Sequence, residues 1–310
     1  MPPTPEAALA ALPVVVDDVE CRVDAVRVPS YPGGVRPTSE ARLGDGRGEC
    51  VAWTAEAHAA LRGRMGLVPR GRWAHLGDWA AAMRERFTDP YERAALEAAA
   101  IDLALRQAGA NLRTLLGAAS KPVRYVVSFE RVADPVARAR AEAPGVALKI
   151  DADPGWSDDT YAGLAALGRV AVLDFKGAGD TERAHRALPQ ALIEDPGSGS
   201  WSESLARRLS FDAAVTSAAA LDALPARPAA VNLKPARMGG VLEALACATR
   251  CAAEGIAVYM GGMFEVGVGR AQLRALAALL CPDGPNDIAP LLETVRPARL
   301  PVDGTAPGFS

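Results

Sequence analysis

The stretch "VAVLDFKG", residues 170–177, is an apolar run that ends in a carboxylate and an amine. Four of its first five residues are apolar, which predicts a buried strand. Asp174 and Lys176 follow at once, although a buried charge is costly unless it is paired, hydrogen-bonded or bound to a metal. Similar endings occur in "VALKID" (146–151), "ALIEDPG" (191–197), "RLSFDAA" (208–214) and "AVNLKPA" (230–236). A repeated ending of this kind calls for one structural explanation.

Short apolar runs alternate with helical segments from about residue 121 to about residue 290. The eight runs lie at residues 124–130, 146–151, 170–175, 191–195, 208–215, 230–234, 256–262 and 286–290. Such alternation predicts a parallel sheet, and eight repeats favour a closed barrel with its functional groups at the C-terminal ends of the strands. A doubly wound open sheet is the alternative, but its glycine-rich fingerprint is missing after the first strand.

The part of the chain before residue 121 has a different pattern. Residues 1–12 are predicted to form a flexible tail, because no regular pattern begins before residue 13. Residues 13–53 read as strands and residues 55–117 as helices. We therefore expect an α+β domain over residues 13–120, followed by a barrel domain over residues 121–290.

The composition is that of an ordinary globular protein, with 310 residues, 50% hydrophobic, 23% charged and a net charge of −3. This balance gives no indication of a nucleic-acid-binding surface. No apolar run approaches the roughly 18 to 20 residues of a membrane-spanning helix, and the N-terminus is a poor signal peptide. The five scattered cysteines are predicted to be reduced thiols, so we expect a cytoplasmic protein without nucleic-acid or membrane partners. The sequence leaves open whether the protein forms a homo-oligomer.

Lysine is rare in this chain. Of the 34 basic residues only four are lysine, at positions 121, 149, 176 and 234, and the remaining 30 are arginine. Arginine stays protonated at any working pH, whereas lysine can act as a base once burial or a nearby cation lowers its pKa. Three of the four lysines lie at the strand endings described above. This distribution indicates a chemical role for Lys149 and Lys234.

In a closed barrel the C-terminal ends of all strands meet at one mouth. Five successive runs end in Lys149, Asp174, Glu194, Asp212 and Lys234, at steps of 25, 20, 18 and 22 residues, and each step is close to one strand–helix unit. The sequence therefore predicts three carboxylates in the middle of the mouth, with one lysine on each side.

Three converging carboxylates cannot all ionise in a semi-buried site without a cation. Oxygen ligands select a hard ion, so Asp174, Glu194 and Asp212 are predicted to bind Mg²⁺, with Mn²⁺ as a substitute. Such an ion holds a substrate carboxylate and stabilises the enediolate that forms when the α-proton is removed. Lys149 and Lys234, on predicted strands two and six, lie across the barrel from each other and are predicted to act as acid and base on opposite faces of one carbon. The expected partner is a small-molecule carboxylate substrate.

The chain resembles the enolase superfamily over nearly its whole length. The resemblance is carried by "ERAALEAAAIDLALR" (92–106), "LIEDP" (192–196), "VNLKPARMGG" (231–240) and the stretch from "GGMFEVGVGR" (261–270) to "NDIAP" (286–290). It implies a modified (β/α)7β barrel of the TIM type, an α+β capping domain completed by residues 291–310, and Mg²⁺ on carboxylates of strands three, four and five. Lys149 and Lys234 match the two lysines of the muconate-lactonizing subgroup, which includes cycloisomerases, o-succinylbenzoate synthase and dipeptide epimerases. The implied function is a Mg²⁺-dependent lyase or isomerase of the cycloisomerase or o-succinylbenzoate synthase type.

The sequence departs from the family pattern at several positions. Ala147 replaces the first lysine of the usual Lys-x-Lys motif on strand two. "KIDADPGW" is similar to the family's Asp-Ala-Asn motif and leaves Asp151 open as an alternative metal ligand, although strand counting places residues 146–151 on strand two. Lys176 stands where the family often has an asparagine next to a ligand. The Asp-x-Asp motif of dipeptide epimerases on the last strand is incomplete after Asp287.

Other polar residues near the mouth and in the cap loops are candidates for substrate binding. They are Lys176, Glu265, Asp287, Arg36 and Trp53. No histidine lies near the seventh apolar run, so the His–Asp dyad of mandelate racemase and of the sugar-acid dehydratases is absent. The alternative functions are an acid-sugar dehydratase or epimerase of the same superfamily, a Schiff-base enzyme that uses Lys234, and a non-catalytic barrel that binds a ligand.

Overall fold

An N-terminal cap packs on a barrel of parallel strands in the computed structural model of the protein. The structure describes residues 3–290, 297–302 and 307–309. Most of the buried apolar side chains of the cap and the barrel belong to one continuous cluster, so the two parts share a hydrophobic core. Within these ranges, no helix is both long and apolar enough to cross a membrane.

Among the described residues, the cap consists of two small antiparallel sheets and the helices packed on them. Its elements are α1 (Pro5–Ala10), β1 (Val14–Val16), β2 (Val19–Arg27), β3 (Val35–Leu43), β4 (Gly46–Cys50), α2 (Ala55–Arg64), β5 (Gly71–Trp73), α3 (Leu76–Arg84), α4 (Pro90–Gln107) and α5 (Leu112–Leu116). Strands β2, β3 and β4 form one sheet, and β1 pairs with β5. Gly48 of β4 lies directly against α4, where a Cβ atom would come within 2.0 Å of the Ala95 carbonyl oxygen. Glycine at this position therefore allows the sheet to pack closely on the helix.

The segment expected to be a tail is ordered in part. Helix α1 covers Pro5–Ala10, and its Leu9 side chain is fully buried in the common core. The Glu6 carboxylate also accepts a hydrogen bond from the Thr249 hydroxyl at 2.9 Å. The prediction of a flexible tail over residues 1–12 is therefore wrong for α1, because a helix of only six residues can bury a leucine that the local sequence pattern did not reveal. Residues 1 and 2 lie outside the described residues.

In the part of the chain that the structure describes, the barrel consists of seven parallel strands with helices on its outside. Its elements are β6 (Val126–Phe129), α6 (Pro135–Glu142), β7 (Ala147–Asp151), α7 (Asp158–Leu167), β8 (Val170–Asp174), α8 (Thr181–Ala187), β9 (Leu192–Glu194), α9 (Glu203–Ala206), β10 (Leu209–Phe211), β11 (Ala230–Leu233), α10 (Pro235–Met238), α11 (Val241–Ala253), β12 (Ala257–Met260) and α12 (Val268–Leu280). Strands β6 to β12 are hydrogen-bonded in chain order.

A short eighth segment joins the two edges of this sheet. Asn286 forms a parallel bridge with Tyr125, next to β6, and Asp287 forms one with Gly261, next to β12. The Asp287 backbone N–H also donates to the Met260 carbonyl oxygen at 2.8 Å. The predicted TIM-type barrel is therefore confirmed in preference to the open doubly wound sheet, and "NDIAP" supplies its eighth position.

The described part of the C-terminal segment contacts both the barrel and the cap. Leu300 bridges to Val123 just before β6, and Gly308 bridges to Asn111 at the start of α5. Residues 291–296, 303–306 and 310 lie outside the described residues. The assignment of all of residues 291–310 to the capping domain, and the domain boundaries as a whole, stay predictions.

Two buried charged side chains of the cap hold the loop that follows β12. The Glu49 carboxylate on β4 accepts hydrogen bonds from three backbone N–H groups between residues 266 and 269, at 2.7, 2.9 and 3.0 Å. Arg36 on β3 donates to the Met263 carbonyl oxygen at 3.4 Å. These bonds place residues 261–267 between the cap and the C-terminal ends of the barrel strands.

Glu97 on α4 connects the cap to the barrel helix α11. Its buried carboxylate accepts a hydrogen bond from the Leu242 backbone N–H at 2.8 Å. Burial raises the pKa of Glu97 to about 7, although this hydrogen bond and Arg84 oppose the shift. The folded protein then binds the Glu97 proton more tightly than the unfolded chain does. The stabilisation from this proton binding is fully present below pH 4.5, the ordinary pKa of a glutamate, and is lost as the pH rises to about 7. The loss is on the order of 3 kcal/mol.

We expect Glu97→Gln to reduce the loss of stability between pH 5 and pH 8. Glutamine keeps an acceptor oxygen for the Leu242 N–H and carries no charge, so the change in unfolding free energy should shrink by on the order of 2–3 kcal/mol. Urea unfolding at both pH values, followed by tryptophan fluorescence, measures this change. The matched control is Glu85→Gln at the exposed end of α3, which should behave like the wild type. An unchanged pH dependence in Glu97→Gln would contradict the prediction.

Candidate active site

Three buried carboxylates meet at the C-terminal ends of neighbouring strands. Asp174 ends β8, Glu194 ends β9, and Asp212 directly follows β10. The parallel register pairs Asp174 with Glu194, and Glu194 with Ser210, so the three carboxylates lie side by side. One oxygen atom of each lies within 4.8 Å of the others. A compact group of carboxylate oxygens fits a hard divalent cation such as Mg²⁺ or Mn²⁺.

Asp151, the alternative metal ligand, lies beside this group. The pairing of β7 with β8 places Asp151 opposite Asp174, which confirms that residues 146–151 contain the second strand of the barrel. Among the described residues, however, the Asp151 carboxylate does not belong to the converging group. It lies 3.3 Å from the Lys176 ammonium, and its side chain is 21% exposed. The geometry therefore favours Asp174 over Asp151 as a ligand.

The two predicted acid/base lysines flank the carboxylates. The Lys149 ammonium on β7 is buried, bonds Glu194 and lies 3.4 Å from Asp174. On the other side, the Lys234 ammonium, directly after β11, lies 2.7 Å from Asp212. The order of charged groups around the mouth is therefore lysine, three carboxylates and lysine, as the spacing of the strand endings predicts.

The burial of these groups changes their proton affinities. Burial raises the pKa of Glu194 to about 7, against the opposing effect of Lys149. Burial would also raise the pKa of Asp212, but Lys234, Lys149 and Arg237 outweigh it and hold the pKa at about 2. For Lys149, burial lowers the pKa, and the facing carboxylates, Glu194 first, outweigh burial and raise it. The carboxylates therefore keep Lys149 in its ammonium form as long as nothing else neutralises them.

The structure adds three residues that the sequence analysis missed. The Tyr259 hydroxyl on β12 and the Asn232 side-chain amide on β11 both donate to Glu194. The Arg237 guanidinium on α10 donates to Asp212 at 2.6 Å. Arg237 stands inside the quoted "VNLKPARMGG" motif, three residues after Lys234, so a signal for it was present. Tyr259 and Asn232 lie within apolar runs, where nothing distinguishes them from core residues.

Lys176 contacts two of the site's carboxylates. Its ammonium bonds Asp174 and lies 3.3 Å from Asp151, and its side chain is 46% exposed. Burial lowers the pKa of Lys176, but Asp174 and Asp151 outweigh it and raise the pKa. The backbone φ of Lys176 is +50°, in the left-handed region that a lysine rarely adopts.

The other candidates for substrate binding differ in their placement. The Asp287 carboxylate lies 3.6 Å from the Lys149 ammonium and so belongs to the mouth. The Glu265 carboxylate is buried and accepts hydrogen bonds from the Met263 backbone N–H at 2.9 and 3.1 Å, so it is engaged within its own loop. Arg36 is fully buried and donates to the Ala52 carbonyl oxygen at 2.6 Å, so it holds the cap together rather than facing a ligand.

Trp53 remains an accessible candidate. Its side chain is 46% exposed and stacks on Tyr31, with the ring centroids 6.0 Å apart. The edge of Phe264 packs against it at a centroid distance of 6.4 Å. Because Phe264 belongs to the loop that follows β12, Trp53 lies where the cap meets the loops of the barrel mouth.

Two family models match this chain. The one described as "Domain of unknown function (DUF8230) C-terminal domain" matches residues 119–292, and the corresponding N-terminal domain matches residues 7–115. The two matched regions correspond to the barrel and the cap of the structure.

Named relatives match shorter parts of the chain. An N-succinylamino acid racemase of Amycolatopsis is 34% identical over 151 residues, which are 43% of this chain and 41% of that protein. An o-succinylbenzoate synthase of Enterococcus faecalis is 30% identical over 163 residues, which are 50% of this chain and 40% of that protein. The matches thus span about two fifths of the length of these relatives.

A solved structure is similar over nearly the whole chain. A dipeptide epimerase of Methylococcus capsulatus, solved in complex with a Mg ion, has a TM-score of 0.77 and 25% identity, over 96% of this chain and 99% of that one.

Proposed function

Because the chain belongs to the DUF8230 family and to the enolase superfamily, we propose that it is a metal-dependent lyase or isomerase that removes the proton α to a substrate carboxylate. The observation that supports this function best is the row of charged groups at the mouth. Buried Asp174, Glu194 and Asp212 converge, with Lys149 on one side and Lys234 on the other. This arrangement provides both a place for a cation and two groups that can carry protons.

Asp174, Glu194 and Asp212 are the proposed ligands, and we propose Mg²⁺ as the ion, with Mn²⁺ as a substitute. When bound, such an ion holds the substrate carboxylate and stabilises the negative charge that develops as the α-proton leaves. Hydrogen bonds from Tyr259 to Glu194 and from Arg237 to Asp212 orient these carboxylates. Groups that orient ligands in this way support both the affinity for the ion and its chemistry.

Lys149 and Lys234 are the proposed acid/base groups. Each is buried and faces the carboxylates from its own side, so a substrate carbon held over the carboxylates has one amine on each face. Only the neutral amine accepts a proton. The neutral form becomes available when a cation neutralises the carboxylates. Burial of the pair also excludes water, which strengthens the electrostatic interactions with developing charge.

Among reactions of this class, we propose an elimination or cycloisomerisation of the o-succinylbenzoate synthase type. An o-succinylbenzoate synthase is among the relatives, and the second aspartate of the epimerase motif is missing after Asp287. The alternative is a racemase or epimerase, which the similarity to an N-succinylamino acid racemase favours. We propose a small-molecule carboxylate as the substrate, with its distal part near Trp53.

The decisive experiment is a screen of carboxylic acids in D₂O with Mg²⁺, read by ¹H NMR. We expect at least one acid to exchange its α-proton for deuterium or to be converted, and we expect this activity to disappear on chelation and in Glu194→Gln. If a broad panel shows no exchange with a folded, metal-loaded protein, the barrel acts as a binding protein. Exchange that survives chelation, together with trapping of substrate on Lys234 by borohydride, would instead support the Schiff-base mechanism.

A further inference from the structure

Lys176 occupies an unusual place for a cation. Its ammonium bonds Asp174, one of the three converging carboxylates, and its backbone N–H donates to the other oxygen of the same carboxylate at 3.1 Å. The Lys149 ammonium lies 3.4 Å from the oxygen that Lys176 bonds. A divalent cation held by the three carboxylates would therefore share Asp174 with two ammonium groups. Like charges at such distances repel strongly in a buried site.

The backbone holds Lys176 in this position at a cost. A φ of +50° is unfavourable for a residue with a Cβ atom, by about 1–2 kcal/mol. The next residue is packed tightly, because the Gly177 backbone N–H donates to the Asp195 carbonyl oxygen at 2.9 Å and a Cβ atom on Gly197 would lie 2.5 Å from the Gly177 carbonyl oxygen. Lys176 therefore cannot relax without moving the loop after β9. Retained strain beside a site is a reason to look for a role.

Lys176 is also the most exposed cation of the site. Its side chain is 46% exposed, whereas Lys149 is 2% and Lys234 is 9% exposed. A long lysine side chain with this freedom can move its ammonium from Asp174 to an anionic group that enters the mouth. The two buried lysines have no such freedom.

We propose that Lys176 couples metal binding to carboxylate binding. This coupling rests on the proposed function of the site. Without a carboxylate ligand, the Lys176 ammonium competes with the divalent cation for Asp174. With a carboxylate bound at the mouth, Lys176 transfers to that group and leaves Asp174 to the cation. By linkage, the carboxylate then strengthens metal binding by the same factor by which the metal strengthens carboxylate binding.

Calorimetric titration of Mg²⁺, with and without succinate as the carboxylate probe, tests this coupling. We expect succinate to tighten Mg²⁺ binding to the wild type by about tenfold, a coupling in the usual range for linked sites. Lys176→Met keeps the length and the strained backbone but removes the charge. It should bind Mg²⁺ about tenfold more tightly without succinate and show a smaller coupling factor than the wild type, because only the coupling that passes through Lys176 is lost. Lys176→Arg should resemble the wild type. Lys121→Met is the matched control, because Lys121 is exposed and is far in sequence from the residues of the mouth.

The outcomes separate this proposal from the proposed function. If Mg²⁺ binds, is lost in Glu194→Gln, and binds Lys176→Met no more tightly than the wild type, the coupling role is wrong and the metal site stands. The same conclusion follows if succinate tightens binding equally in the wild type and Lys176→Met. If Mg²⁺ binds the wild type neither with nor without succinate, both the coupling and the metal-dependent function are wrong. Thermal unfolding of each variant confirms that it is folded.

Discussion

Glu194→Gln is expected to lose divalent-metal binding together with α-proton exchange. Glu194 is the central carboxylate of the three, and its replacement removes a charged ligand from a buried site. We expect Mg²⁺ affinity to fall by at least about 10²-fold and turnover by on the order of 10³-fold or more, because stabilisation of the developing charge is lost. Asp212→Asn should behave in the same way. Calorimetry measures the affinity, and ¹H NMR in D₂O measures the exchange.

The matched pair for this experiment is Asp174→Asn and Asp151→Asn. The two residues lie opposite each other on β8 and β7, yet only Asp174 belongs to the converging group of the described residues. Asp174→Asn should weaken metal binding strongly, and Asp151→Asn should weaken it only modestly. The reverse order would make Asp151 the ligand, and unchanged binding in both Glu194→Gln and Asp212→Asn would remove the metal assignment altogether.

Replacing Lys149 or Lys234 by arginine should abolish any proton transfer that the replaced lysine performs, while keeping its positive charge. The guanidinium group stays protonated at any working pH, so it can neither accept nor return the α-proton. If each lysine is a general acid/base group, each substitution should lower the rate by on the order of 10²-fold or more. Rates of substrate turnover and of α-proton exchange in D₂O measure the effect.

The pattern of exchange in the two variants distinguishes the reaction types. A one-base elimination should lose α-proton exchange in only one variant, while the other variant, which keeps its positive charge, should retain the exchange. A racemase should lose exchange of one enantiomer in Lys149→Arg and of the other enantiomer in Lys234→Arg. We expect the one-base pattern, because the Asp-x-Asp motif is incomplete after Asp287. Lys121→Arg is a control outside the site, and full turnover in both site variants would exclude the two-lysine mechanism.

The barrel and the core of the site could be predicted from sequence for the same reason. In a parallel barrel, chain order and spatial order agree, and every strand ends at the same mouth. Charged residues that end successive apolar runs must therefore converge, and the structure brings Asp174, Glu194 and Asp212 to within 4.8 Å of one another. The scarcity of lysine in an arginine-rich chain added independent information about Lys149 and Lys234, which lie on the two sides of this group.

Residues inside strands could not be assigned in this way. Tyr259 and Asn232 contact Glu194 because their side chains point to the inside of the barrel, but an apolar run in a parallel strand is buried on both faces and shows no alternation. The burial of Arg36, a candidate for substrate binding, and of Leu9, within the predicted tail, also left no signal in the local sequence. Both are fully buried by elements that are distant in sequence.

The sequence by itself determined the order of the barrel strands, the convergence of the charged strand ends and the chemical class of the site. These features depend on local residue patterns and on a topology in which neighbours in sequence are neighbours in space. Tertiary structure alone decided how the cap is joined to the mouth. Glu49 reaches three backbone N–H groups more than 200 residues away, and Lys176 turns back onto Asp174 because its backbone is held at a φ of +50°. Such contacts arise from the packing of separate elements, whose geometry is a property of the whole fold and leaves no local pattern in the chain.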